Sequence, residues 1–129
     1  MSEEEKQYFF NFSFFKIDPK WRWMADLAKE ESARELENVM QNLPVRIRTY
    51  STLGLRDDSD FLIWFMSESL EDIQDAISKI YLTVVGKYII PSKVYLSSTR
   101  QSMYAKKNRT HSFVGGLEAK KYTVVYPFI

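Results

Sequence analysis

The stretch that decides the fold runs from Tyr50 to Trp64 and reads YSTLGLRDDSDFLIW. Residues 45–50, which lead into it, alternate between apolar and polar side chains, as in a β-strand with one buried face. Residues 61–66 are apolar throughout and predict a strand that is covered on both faces. The glycine and aspartates among residues 51–59 are typical of a turn, so the stretch predicts two strands joined by that turn.

Upstream of these strands, the pattern predicts one strand and one long helix. Residues 8–15 form the strand, and alternation places Phe10, Phe12 and Phe14 on one of its faces. Asp18 is a helix-capping carboxylate, and Pro19 suits the first helical position, where its missing N–H is not needed. We predict that the helix ends at Pro44. Its buried stripe would consist of Trp21, Met24, Ala25, Ala28, Ser32, Leu36, Val39, Met40 and Leu43.

Downstream, the pattern predicts a second helix and two further strands. Residues 69–72 resemble a capping box and open a helix that Gly86 is expected to end. Residues 88–96 have strand character with an interruption at Pro91, residues 99–118 form a loop, and residues 121–126 form a last strand. The second helix would bury Leu70, Ile73, Ala76, Ile77, Ile80 and Tyr81.

The order strand, helix, strand, strand, helix, strand is that of the split βαβ, ferredoxin-like plan. This is an α+β fold, an antiparallel sheet with both helices on one face. The strand at residues 61–66 is apolar on both faces, so a second sheet should cover the face that the helices leave open. That sheet would come from a second half of the same chain or from a second copy. Either arrangement makes this domain one half of a dimeric α+β barrel.

Composition limits the classes of protein to which the chain can belong. It has 129 residues, of which 45% are hydrophobic and 16% aromatic, enough for one ferredoxin-like domain over residues 8–129 after an acidic tail at residues 1–7. The absence of cysteine excludes disulfides and Cys-ligated metal sites. A net charge of +1 predicts no nucleic-acid partner. No segment has the apolar length of a membrane span, and the acidic start is unlike a secretory signal, so a cytoplasmic location is expected.

Three stretches resemble the chlorite dismutase and coproheme decarboxylase family. Residues 50–64 are similar to the family's YSTLGLRADADFMLW run. Residues 95–104, YLSSTRQSMY, resemble its YLSVTELSNY segment, with Met103 where the family has asparagine. Residues 120–128 resemble the strand that ends in YPM, with Phe128 in place of the methionine. The resemblance covers nearly the whole chain and implies the amino-terminal half of a family subunit.

The resemblance implies a heme-dependent oxidoreductase, either chlorite dismutase-like or a coproheme decarboxylase. Family subunits are two ferredoxin-like halves joined as a dimeric α+β barrel, often assembled into pentamers. Heme or coproheme is held in the second half, so we expect the chain to continue past Ile129. In the decarboxylase branch the tyrosine of YPM is the radical-forming residue, and Tyr126 stands at that position. A phenol can lose an electron and a proton, which a phenylalanine side chain cannot.

The segment between residues 99 and 121 is rich in basic residues. It is either a solvated loop or a clamp for the carboxylates of a bound porphyrin, since guanidinium groups pair well with carboxylates. Relatives use an arginine of this loop for that contact. Arg109 is our candidate for it if the loop is shifted, because an ungapped alignment places Ser112 there.

Other candidate residues are better explained by structural roles. His111 lies in the wrong half to be the proximal iron ligand. The aspartates at positions 57, 58 and 60 lack the glycine of an EF-hand loop, and we interpret them as turn residues with Arg56 pairing locally. We expect Trp21, Trp23 and Trp64 to pack in the core rather than form an aromatic ligand cage.

A second function from a different class fits the same residues. The chain is then a heme-free dimeric α+β barrel that acts as an interaction module, with its two-faced strand meeting another copy. Chlorite chemistry and coproheme decarboxylation also both stay open, because the distal residue that separates them belongs to the second half of the family subunit.

Overall fold

A computed structural model describes residues 7–99 of the chain. The elements are four strands and two α-helices: β1 (Phe9–Ile17), α1 (Asp26–Gln41), β2 (Arg46–Ser51), β3 (Phe61–Ser67), α2 (Leu70–Tyr81) and β4 (Ile89–Ser98). Short 3-10 turns at Pro19–Trp23 and Val85–Tyr88 precede α1 and β4. The predicted last strand at residues 121–126, and the loop from residue 100 onward, lie outside the described residues.

The four strands form one antiparallel sheet in the order β2-β3-β1-β4. Each helix connects two strands that are separated by one other strand, which is the ferredoxin-like topology. The predicted α+β fold is therefore confirmed. The two strands joined by the turn at residues 52–60 are neighbours, with Ser51 opposite Phe61 and Arg46 opposite Met66.

The core lies between the sheet and its helices. It contains Phe15, Ile63 and Phe65 of the central strands, packed against Ile73, Ala76 and Ile80 of α2 and against Val85 and Ile89. Two polar side chains of β1, Asn11 and Ser13, are also buried on the face of the sheet that the helices cover. The Ser13 hydroxyl donates to Asn11 Oδ1. That hydrogen bond lowers the cost of burying both groups.

The first helix differs from its prediction in length and in burial. Asp18 does cap a helical segment, since its side chain accepts from the Lys20 N–H at 2.9 Å, but that segment is the 3-10 turn. Met24 is extended at ψ 153, so α1 begins only at Asp26. Within α1, Ser32 alone is fully buried, and the alanine at position 28 is exposed. Trp23 is 86% exposed, so its predicted place in the core is wrong.

The second helix and the last described strand each differ from the sequence-based prediction in one detail. The helix ends at Tyr81, five residues before the expected stop at Gly86, which lies in the following 3-10 turn. Ser69 caps the helix as predicted, and its hydroxyl accepts from the Asp72 N–H. Pro91 does not interrupt β4, because β4 is an edge strand of the described sheet and the register shifts opposite Phe14 and Phe15. None of the helices in the described part of the chain is long and apolar enough to cross a membrane.

Candidate functional site: the aromatic face of the sheet

The face of the sheet that points away from α1 and α2 carries a continuous apolar surface. We call it the aromatic face. Cross-strand register places three pairs on it, which follow from alternation on the two central strands: Phe10 opposite Met66, Phe12 opposite Trp64, and Phe14 opposite Leu62. None of these six side chains belongs to the core under the helices. The prediction that β3 is apolar on both faces is thus confirmed.

The aromatic face is closely packed in its centre. The Phe12 and Trp64 rings stack with centroids 5.5 Å apart and planes 15° from parallel, and Phe10 is tilted against the same indole at 6.1 Å. Phe10 and Leu62 are each 2% exposed. Such burial on the face opposite the helices indicates a surface built for packing rather than for contact with water.

Polar groups border this apolar centre on the edge strand β2. Arg46 and Arg48 of β2 lie opposite Met66 and Trp64, and together with Ile47 they line a small pocket beside the indole. Arg48 Nη1 donates to the Ile47 carbonyl at 2.9 Å. The Trp64 Nε1–H is buried and has no hydrogen-bond acceptor in the described part of the chain.

The turn between β2 and β3 is held by a dense set of hydrogen bonds. Thr52 is its centre: its carbonyl accepts from the Leu55 and Arg56 N–H groups at 2.8 and 3.2 Å. Its hydroxyl lies 2.8 Å from that of the buried Ser59. Asp60 fastens the turn to β1, because its Oδ2 accepts from the Ile17 N–H at 2.7 Å. These contacts explain locally why residues 50–64 carry so many small polar and acidic side chains.

A charged cluster joins the turn to the edge of the aromatic face. Arg56 forms two hydrogen bonds to Asp58, at 2.7 and 2.8 Å, and its guanidinium carbon lies 5.2 Å from the centre of the Phe14 ring. Lys93 of β4 approaches the same carboxylate at 3.6 Å. The hydrogen bond from Arg56 is the main reason that the pKa of Asp58 falls from 3.8 to about 2. The cluster ties β4, β1 and the turn together.

The structure supports the interpretation of the aspartates as turn residues. Asp58 pairs with Arg56 and Asp60 accepts a backbone N–H, while the Asp57 carbonyl accepts from Lys16 Nζ at 3.1 Å. Among the described residues, no three histidine, cysteine, aspartate or glutamate side chains form a group that could hold a metal ion.

The Arg56–Asp58 pair makes stability depend on pH in acid. The pKa of Asp58 is about 2 in the folded chain, whereas its ordinary value, which applies to the unfolded chain, is 3.8. The pair therefore stabilises the fold above about pH 4. That contribution is lost as the pH falls towards 2. We expect Asp58→Asn to remove this part of the acid dependence of the urea midpoint, and Arg56→Ala to remove most of it, because Lys93 still lowers the pKa of Asp58. A variant with the wild-type dependence would contradict the assignment.

The two residues predicted to act in chemistry, Tyr126 and Arg109, lie outside the described residues, as does His111. Sequence reasoning missed the arginines that border the aromatic face, although a signal was present: Arg46 and Arg48 are alternate residues of β2, so they share one face. It also missed the contact of Arg56 with Phe14, which joins residues distant in the chain.

Comparison with known proteins places this fold in a family. The sequence profile described as chlorite dismutase matches residues 27–129. A coproheme decarboxylase of Mycolicibacterium smegmatis is 34% identical over 83 residues, which are 62% of this chain and 35% of that protein. A solved chlorite dismutase from Candidatus Nitrospira defluvii superposes with a TM-score of 0.72 at 18% identity, covering 76% of this chain and 42% of the other.

A variant of the same chlorite dismutase reaches a TM-score of 0.74 at 16% identity, and covers 92% of this chain and 51% of its own. At such identities the likeness concerns the fold alone. The chain thus spans between about a third and about half of the length of these relatives. Because the family profile matches most of its residues, the chain belongs to the chlorite dismutase family.

Proposed function

We propose that this chain is the amino-terminal part of a heme-dependent oxidoreductase of the coproheme decarboxylase type. The observation that carries the proposal is the 34% identity to a coproheme decarboxylase, which exceeds the identity to the chlorite dismutase structures that share the fold. On this proposal the cofactor and the substrate are the same molecule, coproheme. A cytoplasmic location remains part of the proposal.

The described residues do not fit the role of iron ligand. Residues 7–99 contain neither histidine nor cysteine, and they include no cluster of acidic side chains that could hold a metal. Histidine and cysteine are common axial ligands of heme iron in proteins. The part that we propose for residues 7–99 is therefore architectural.

That architectural part follows from the aromatic face. Phe10, Phe14, Leu62 and Met66 are already buried within this chain, whereas Phe12 and Trp64 at the centre of the face are only partly buried. Full burial of a large apolar side chain is worth about 1.5–3 kcal/mol, so covering these two rings would stabilise an assembly. We propose that this face packs against a second ferredoxin-like sheet to form a dimeric α+β barrel. Assembly of such barrels into a homo-oligomer, a pentamer by resemblance to the family, belongs to the same proposal.

The decisive experiment is spectroscopic. The full-length gene product is titrated with coproheme and, separately, with heme, and the Soret band is followed. Saturable binding of coproheme with conversion to heme in the presence of peroxide would support the proposal. No Soret change with either porphyrin would overturn it.

The alternative function is a heme-free dimeric barrel that acts as an interaction module. It applies if neither porphyrin binds, and light scattering would then reveal a dimer or larger assembly. That alternative is favoured by the apolar aromatic face and by the lack of an iron ligand in residues 7–99.

Tyr126 is the residue that we propose for the chemical step. Bound coproheme would supply the redox-active iron, and hydrogen peroxide would be the two-electron oxidant and be reduced to water. The Tyr126 phenol would give up an electron and a proton and then recover a hydrogen atom from the propionate, whose carboxyl group leaves as CO2 so that a vinyl group remains. We expect Tyr126→Phe to abolish decarboxylation while coproheme still binds with its Soret band unchanged. The matched control is Tyr122→Phe, on the same segment, which should keep its turnover. Equal turnover of both variants would remove Tyr126 from the chemistry.

Arg109 is the residue that we propose for binding the porphyrin carboxylates. Loss of one charge-assisted hydrogen bond is worth about 1.5–3 kcal/mol, so Arg109→Ala should weaken coproheme binding by about tenfold to a hundredfold. Arg34→Ala is the control, because Arg34 is a largely exposed residue of α1 whose only described ion pair is with Glu30. If both variants bind coproheme like the wild type, Arg109 has no part in the site.

A further inference from the structure

A groove lies on the helix side of the sheet, opposite the aromatic face. It has a volume of about 340 Å³ and lies between α1, β2 and the central strands. Pockets that hold small molecules begin at about 300 Å³. On the α1 side the groove is lined by the short side chain of Ala33 together with Leu36, Glu37 and Met40, and a larger residue at position 33 would fill part of it.

The apolar walls of the groove include two aromatic rings whose positions are fixed. Trp21 Nε1 donates to Ser32 Oγ at 3.2 Å, and Ser32, which is 3% exposed, donates in turn to the Lys29 carbonyl at 2.8 Å. Phe61 stacks on Phe15 with ring centroids 5.2 Å apart. Since both rings are held by neighbours, the groove is already formed before a ligand arrives, and less entropy is lost on binding.

The charge of the groove selects one class of ligand. Glu37 is the only ionisable side chain of α1 among the described residues that line it, and no lysine or arginine of the described residues lines it. The hydroxyl residues Thr49 and Ser51 of β2 complete the polar part of the lining. A carboxylate near aromatic rings attracts cations, through Coulomb attraction and through cation–π contact. An anion such as a porphyrin carboxylate would be repelled.

We propose that this groove binds a small organic cation with an apolar body. The apolar body lies against Trp21, Phe61, Leu36 and Met40, and the positive charge lies towards Glu37. The site is independent of the proposed porphyrin chemistry. It neither needs a metal nor uses Tyr126 or Arg109.

The probe that tests this is auramine O, a monocationic dye whose fluorescence rises when it is immobilised, compared with the anionic dye 1-anilinonaphthalene-8-sulfonate. We expect the full-length protein to bind auramine O saturably at one site per chain, and more tightly than the anionic dye. Glu37→Gln should weaken auramine O binding about threefold and Glu37→Lys about tenfold, as expected for exposed charges. Glu31→Gln and Glu31→Lys are the controls, because Glu31 is an exposed residue of the same helix that does not line the groove.

A second pair of variants locates the dye in the groove rather than elsewhere. Ala33→Trp fills the groove from α1 and should abolish auramine O binding, while Ala28→Trp, at an exposed position of α1 outside the groove, should leave it unchanged. Circular dichroism checks that both variants fold. If Ala33→Trp does not fold, the Glu37 variants still test the proposal by themselves. The proposal is overturned if the anionic dye binds as tightly as auramine O, or if the Glu37 variants bind auramine O like the wild type.

Discussion

Replacing Phe65 with alanine is expected to lower the free energy of unfolding by about 3–5 kcal/mol. Phe65 lies in the middle of β3 and is 0% exposed, in contact with the cluster formed by Ile73, Ala76 and Ile80 of α2. Removing the ring deletes buried apolar surface and leaves a cavity that the sheet cannot close, because β3 is paired on both sides. A domain of this size has about 5–15 kcal/mol of stability in total, so the variant approaches the limit of folding.

Urea unfolding followed by circular dichroism measures this loss. Phe65→Leu keeps most of the side-chain volume and should cost about 1 kcal/mol. Trp23→Ala is the control for losing a large aromatic ring at an exposed site, and should change stability by less than about 0.5 kcal/mol. An equal loss in Trp23→Ala and Phe65→Ala would show that the core is not where the structure places it.

Replacing Gly86 with alanine is expected to cost about 3 kcal/mol or more. A Cβ at this position would lie 2.2 Å from the Ile80 carbonyl oxygen and 2.6 Å from the Tyr81 Cα. Both are backbone atoms at the end of α2, so no side-chain rotation relieves the clash. The turn cannot shift easily, because the Gly86 N–H donates to Thr83 Oγ1 at 3.0 Å and that hydroxyl donates to the Ile80 carbonyl at 2.7 Å.

Gly54→Ala is the matched control. Gly54 has φ +79 but nothing within 4 Å of its would-be Cβ, so alanine there meets only the strain of the left-handed backbone, about 1–2 kcal/mol. Thermal unfolding of both variants separates the two effects. If Gly54→Ala is as damaging as Gly86→Ala, backbone conformation rather than close approach explains the requirement for glycine.

Several features of the fold could be predicted because they depend on local geometry. Alternation along a strand identifies the side chains that share a face, and the pairs of Phe12 with Trp64 and of Phe14 with Leu62 lie on the predicted face. The Asp18 and Ser69 caps were likewise predictable, since a cap is formed by a side chain and a backbone N–H two or three residues away. The turn at residues 52–60 was predictable for the same reason.

The candidate sites differ in whether the sequence could identify them. Tyr126 and Arg109 were identified by resemblance, and they stay predictions. The groove beside Trp21 and Glu37 could not be found from the sequence, because the same spacing that predicts a buried stripe on α1 is compatible with close or loose packing. Only the separation between α1 and the sheet distinguishes the two.

The sequence by itself thus determined the order of elements, the two-faced character of β3 and the family, all of which follow from periodicity and from contiguous motifs. The tertiary structure decided where the first helix breaks, how deeply α1 is buried, and why position 86 needs a glycine. It also decided that Arg56 meets both Asp58 and Phe14. The physical reason is that periodicity depends on the dihedral angles of adjacent residues, whereas burial and close approach depend on distances between segments that are far apart in the chain.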